Sequence, residues 1–137
     1  MPSKLYHLQV NVSSARVALP FYRDLLGYLG WRSIVDEGNV VAFSDGGVTL
    51  WLFGADARFA GRGFHRKGAG LNHLAFLVDR REDVDRFREQ FMVPRSIAPL
   101  YATPREFPEY VPGYYAVFFE GPDRLKLEVV YRPFRAG

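Results

Sequence analysis

Two stretches, LYHLQVNV at 5–12 and LNHLAFLV at 71–78, decide the fold because each reads as a copy of the other. They match at Leu5 and Leu71, His7 and His73, Leu8 and Leu74, and Val12 and Val78, about half a chain apart. Both have the alternation of a half-buried strand, and both seat a histidine among apolar residues. A lone imidazole in such a strand is ordinarily a core residue satisfied by one hydrogen bond. Its meaning changes if it has company.

The segments after the two copies are also alike. After the first comes SSARVALPFYRDLLG, with Ser13 as the expected N-cap, Gly27 as the stop, and Val17, Phe21 and Leu25 as an apolar helical stripe. Pro20 inside that pattern predicts a kink or a late start. After the second comes DRREDVDRFREQF, where Asp79 and Glu82 resemble a capping box and Val84, Phe87 and Phe91 form the stripe. Each half then closes in strands. Residues 39–53 read as strand, turn at Asp45-Gly46-Gly47, strand, and residues 113–131 read the same way around Gly121-Pro122-Asp123. Further short strands are expected near Trp31–Val35 and Ser96–Pro99. The fold class is therefore α+β: two tandem βαβββ modules forming a curved eight-stranded mixed sheet around a cleft, helices outside. One domain is expected over 1–137, with module one about 1–59, a Gly/Arg-rich linker loop about 60–69, and module two about 70–137.

Composition narrows the function classes. The chain is 48% hydrophobic and 16% aromatic, with no run long enough to span a membrane. The N-terminal MPSKLYHLQV lacks the charged start and apolar stretch of a signal peptide. A soluble, cytoplasmic protein is expected, with no membrane partner. The net charge is +3, but the arginines are scattered and interleaved with acids, so no nucleic-acid surface is expected. With no cysteine, any metal site must use His and carboxylates.

Strand parity then selects the chemistry. If Leu8, Val10 and Val12 pack under the helix, His7, Gln9 and Asn11 face the other way. The same logic sends His73 opposite to Leu74, Phe76 and Val78, and Lys126 and Glu128 opposite to Leu125, Leu127 and Val129. Two imidazoles and a carboxylate on the concave face make a plausible divalent-metal site with open positions for ligand or water.

These modules, with FYRDLLG (21–27), GLNHLAFLV (70–78) and GYYAVFFEGPDRLKLEVVY (113–131), resemble the glyoxalase/bleomycin resistance protein/extradiol dioxygenase superfamily, also called the vicinal oxygen chelate fold. The resemblance covers nearly the whole chain. It implies metal ligands at His7, His73 and Glu128, a divalent ion (Fe, Mn, Ni or Zn), and commonly a homodimer. Trp51 departs from the pattern: it stands where glyoxalase I commonly has a fourth ligand, and indole cannot ligate. The remaining His-His-Glu set resembles extradiol dioxygenases and fosfomycin-modifying thiol transferases. Gly121-Pro122-Asp123-Arg124, where many relatives read Asp-Pro-Asp-Gly, is taken as a turn variation.

Around the triad, Gln9, Trp51, Lys126 and Tyr101 are the expected substrate-binding residues: Lys126 and Gln9 for an anionic or carbonyl group, Trp51 for stacking. Residues 94–112, with five prolines among Tyr101, Phe107 and Tyr110, read either as an irregular crossing loop or as an aromatic lid. His65 in the linker is expected at the surface. The leading expectation is a metal-dependent enzyme on a small molecule with vicinal oxygens. The alternative is a non-catalytic, drug- or metabolite-binding protein, and a third is an accessory module.

Overall fold

In the computed structural model, residues 1–133 are described. The chain forms two compact units, Met1–Phe64 and His65–Gly137. The first contains β1 (His7–Val12), α1 (Ala15–Tyr28), β2 (Arg32–Glu37), β3 (Val40–Ser44) and β4 (Thr49–Gly54). The second contains β5 (His73–Leu77), α2 (Arg81–Phe87), β6 (Pro99–Glu106), β7 (Tyr115–Glu120) and β8 (Lys126–Tyr131). The strand orders β1-β4-β3-β2 and β5-β8-β7-β6 are the same pattern twice, so the repeat read in the sequence is a repeat of topology. Hydrogen bonding divides the expected eight strands into two four-stranded sheets, and in each the first strand lies parallel to the last while the others are antiparallel.

The alternation in β1 does what its pattern demands. Leu8, Val10 and Val12 turn inward, whereas His7, Gln9 and Asn11 are exposed. Helix α1 covers the inward face through Ala18, Leu19, Tyr22, Leu25 and Leu26, all buried. Val17, expected in the stripe, is instead exposed at 68%. The N-cap is Ser14 rather than Ser13, its hydroxyl accepting from the Val17 N–H. The helix begins at Ala15 and runs through Pro20, so the late start does not occur. It also continues past Gly27 and ends where Gly30 takes φ +81, a conformation that suits glycine. There the Gly30 N–H donates to the Gly27 carbonyl and the Trp31 N–H to the Leu26 carbonyl.

In the second unit, α2 continues through a π-helical turn, Arg88–Met92. Val84, Phe87 and Phe91 are buried as the stripe requires, with the Phe87 and Phe91 rings stacked at 5.0 Å. The capping box is not formed: Arg80 is the N-cap and makes no side-chain cap hydrogen bond. The largest departure is β6. The strand expected near Ser96–Pro99 starts at Pro99 and runs to Glu106, through what read as loop or lid. Its prolines are tolerated because β6 is the sheet edge and its ladder with β7 breaks between Leu100 and Arg105. Within that break Tyr101 and Ala102 hold φ +59 and +53. The excursion is pinned by buried Thr103, whose hydroxyl donates to the Leu100 carbonyl (2.6 Å) and accepts from the Phe118 N–H (2.9 Å). No helix among the described residues is long and apolar enough to cross a membrane.

Candidate metal and ligand site

In the second unit, the parallel pairing of β5 with β8 sets His73 beside Lys126 and Ala75 beside Glu128. Antiparallel pairing sets Phe118 of β7 opposite Glu128. His73, Lys126, Glu128 and Phe118 therefore leave the sheet on one face, as strand parity anticipated for the first three. There they line a concavity of about 450 Å³ together with Tyr101, Arg105, Phe107, Tyr110 and Tyr114.

Glu128 is 1% exposed. A carboxylate so buried is costly unless each oxygen has a partner. Its Oε1 accepts from the Tyr114 hydroxyl, and its Oε2 faces His73 Nε2 at 3.3 Å. Burial raises the Tyr114 phenol well above its usual range, and the hydrogen bond to the Glu128 carboxylate reinforces the shift. Tyr114 thus remains a proton donor.

The state of His73 is set by its neighbour. The Asn72 side chain donates through Nδ2 to the Arg66 carbonyl at 3.0 Å, which leaves its Oδ1 to accept from His73 Nδ1 at 2.8 Å. With the proton on Nδ1, Nε2 carries a lone pair and stands 3.3 Å from the Glu128 Oε2. Two electron-rich atoms this close repel, and a metal ion bound by both would relieve them. Two ligands held about 2.1 Å from one ion are about 3.0–3.4 Å apart between right-angled and tetrahedral geometry. The observed 3.3 Å fits. The outward-held atoms, Nδ1 on Asn72 and Oε1 on Tyr114, are the kind of second layer that orients metal ligands. Within this unit, no third His, Asp or Glu joins the pair among the described residues.

The remaining expected residues fall in two places. Lys126 and Tyr101 belong to this concavity, the ammonium standing 5.5 Å over the Tyr101 ring. His7, Gln9 and Trp51 belong to the first unit, where β1 pairs with β4 so that Gln9 lies beside Trp51. With Tyr6, Ile34, Thr49 and Phe53 they line a concavity of about 370 Å³. There Trp51 stacks on Phe53 at 6.0 Å, and the Gln9 amide donates to Asn11. Trp51 and Phe53 thus give this concavity an aromatic wall.

Tyr114, Asn72 and Arg105 were not singled out from the sequence. Tyr114 was within reach of parity, since Tyr114, Ala116 and Phe118 alternate on the face of Glu128. Arg105 was not: it shares a face with Leu100, five residues earlier, only because the β6 excursion reverses the alternation.

Comparison with known proteins agrees with this architecture. The family model of the Glyoxalase/Bleomycin resistance protein/Dioxygenase superfamily matches residues 4–129. An uncharacterized protein of Bacillus subtilis, YqjT, is 29% identical over 126 residues, covering 92% of this chain and 97% of that protein. The crystal structure of a candidate glyoxalase from Bacillus halodurans superposes with a TM-score of 0.84 at 34% identity, over 93% of this chain and 95% of that one. At the level of fold alone, the fosfomycin resistance protein FosX from Listeria monocytogenes, in complex with Mn(II) and sulfate, matches with a TM-score of 0.66 at 18% identity, over 98% of this chain and 94% of that one. With the repeated βαβββ modules and a matching family model over nearly its full length, the chain belongs to the glyoxalase/bleomycin resistance protein/dioxygenase superfamily, the vicinal oxygen chelate fold.

Proposed function

We propose that the chain is a metal-dependent enzyme acting on a small molecule with vicinal oxygens, with His73 and Glu128 as two metal ligands and His7 as the third. The observation that carries the reading is the opposed pair Nε2 and Oε2, whose partner atoms are each held by a fixed side chain. A divalent ion (Fe, Mn, Ni or Zn) would supply Lewis-acid polarisation of the substrate oxygens. This chain's residues do the rest. Asn72 keeps the Nδ1 proton in place, Tyr114 holds the carboxylate in one rotamer, and Phe107 and Phe118 exclude water. Lyase, isomerase, dioxygenase and thiol-transferase chemistry all fit such a site. FosX, a relative by fold, carries Mn(II). The protein is further proposed to act in the cytoplasm as a homodimer, without nucleic-acid or membrane partners.

Metal analysis of untagged protein is the test. Near-stoichiometric metal is expected in the wild type, with marked loss in His73→Ala, Glu128→Ala and His7→Ala. Metal content that ignores all three substitutions overturns the proposal. Sedimentation should give the mass of two chains. Activity regained on mixing inactive His7→Ala and Glu128→Ala proteins would show that two chains share a site.

A second reading, non-catalytic binding of an aromatic ligand, is favoured by the stacked Trp51 and Phe53 wall in the first unit. It predicts tight ligand binding by metal-free protein, unaffected by Glu128→Ala and without turnover.

A further inference from the structure

Lys126 sits beside His73 in the β5–β8 register, on the face of the metal-site pair. It is half-buried, and its ammonium stands over two rings, 5.5 Å from the Tyr101 centroid and 5.6 Å from that of Phe118. Both carboxylates that could neutralise it are engaged elsewhere. Glu120, opposite Lys126 across the β7–β8 ladder, is held by Arg66 at 3.2 Å and Arg124 at 3.1 Å. Glu128, two residues along, is taken up by Tyr114 and His73. Among the described residues no carboxylate lies within ion-pair distance of the Lys126 ammonium. Arg105 adds a second cation to the concavity. Its guanidinium stacks on Phe107 at 3.8 Å, and Glu109 approaches it only at 3.8 Å.

An ammonium with part of its water replaced by ring faces is stabilised by cation–π attraction, but an anion serves it better. The same walls, Tyr101, Phe107 and Phe118, offer apolar area to the body of a ligand. We infer that the ligand of this pocket is a small organic anion, a carboxylate or phosphonate on an apolar or aromatic body, and that Lys126 is the residue that selects for its charge. That this ligand is also the substrate rests on the metal-site proposal. The strained turn of β6 has a place in the inference, because it brings both Tyr101 and Arg105 to the Lys126 face.

Calorimetric titration of the full-length protein with benzoate, phenylphosphonate and the neutral benzamide tests it, with and without Mn(II). At least one anion should bind about tenfold or more tightly than benzamide, the scale of one charge-assisted hydrogen bond. Lys126→Met should abolish that gap, and Lys126→Arg should keep most of it. Circular dichroism verifies the fold, and Lys126→Gln substitutes should the Met variant unfold. Anions that bind no better than benzamide, or a gap that survives loss of the lysine, overturn the inference. Mn(II) uptake in the same samples, read by electron paramagnetic resonance, decides the metal reading separately. Anion preference without Mn(II) uptake removes the metal and leaves the charge selection standing.

Discussion

Glu128 stands out in the second unit because it is almost wholly buried yet has a side chain against each carboxylate oxygen. Tyr114→Phe strips one of those partners and leaves Oε1 without a donor. The expected result is a loss of about 1–3 kcal/mol in denaturant unfolding, and about 10–100-fold weaker binding of a divalent ion. Tyr115, one residue on and on the other face, is a different case. Burial, reinforced by its 2.5 Å hydrogen bond to Asp85, pushes its phenol up to about 12. A group whose folded value is raised contributes stability in full below its unfolded value of about 10, and loses it as pH climbs through the folded one. Spectrophotometric titration should therefore show the Tyr114 and Tyr115 phenols ionising late. Tyr115→Phe should remove one late phenolate and flatten the fall in stability between about pH 10 and 12. Residue-scale reading of the sequence reached Glu128, His73 and Lys126 by parity, yet passed over Tyr114, which obeys the same parity. The imidazole's tautomer lay beyond any pattern, because it depends on a carbonyl at Arg66 that only folding brings to Asn72.

At the scale of elements, α1 and β1 were legible because burial and period agree along them. Their ends were less so. Ser13 and Ser14 are equally good caps by residue type, and the choice falls to the one whose hydroxyl meets the Val17 N–H. Gly30→Ala should destabilise by about 1 kcal/mol or more in thermal or chemical unfolding, since its φ of +81 forbids an easy Cβ. Element β6 was misread for a physical reason. Prolines and a turn-like composition argue for loop, and only an edge position with a broken ladder reconciles them with a strand. Thr103 is the peg of that break. Thr103→Val keeps the shape but leaves the buried Phe118 N–H unpaired. Unfolding free energy should drop by about 1–3 kcal/mol, with Tyr101 and Arg105 signals broadening in nuclear magnetic resonance spectra.

For the molecule as a whole, the duplicated βαβββ plan was the most legible feature, because two copies of one pattern corroborate each other. What duplication conceals is the difference between the copies. On β4 the outward side chains Thr49, Trp51 and Phe53 are half-buried, while on β8 the corresponding Lys126, Glu128 and Val130 include a buried acid. One module places a buried acid where the other places an aromatic wall. The connecting segment also has a part in this. Arg66 ties it to Glu120 and to the Arg124 carbonyl, and its own carbonyl fixes Asn72, which fixes His73. The connection between the modules is therefore a proton-setting device as much as a spacer. Replacing Arg66 with alanine should let the His73 proton distribute between both ring nitrogens, visible in its nitrogen chemical shifts, with every strand still in place.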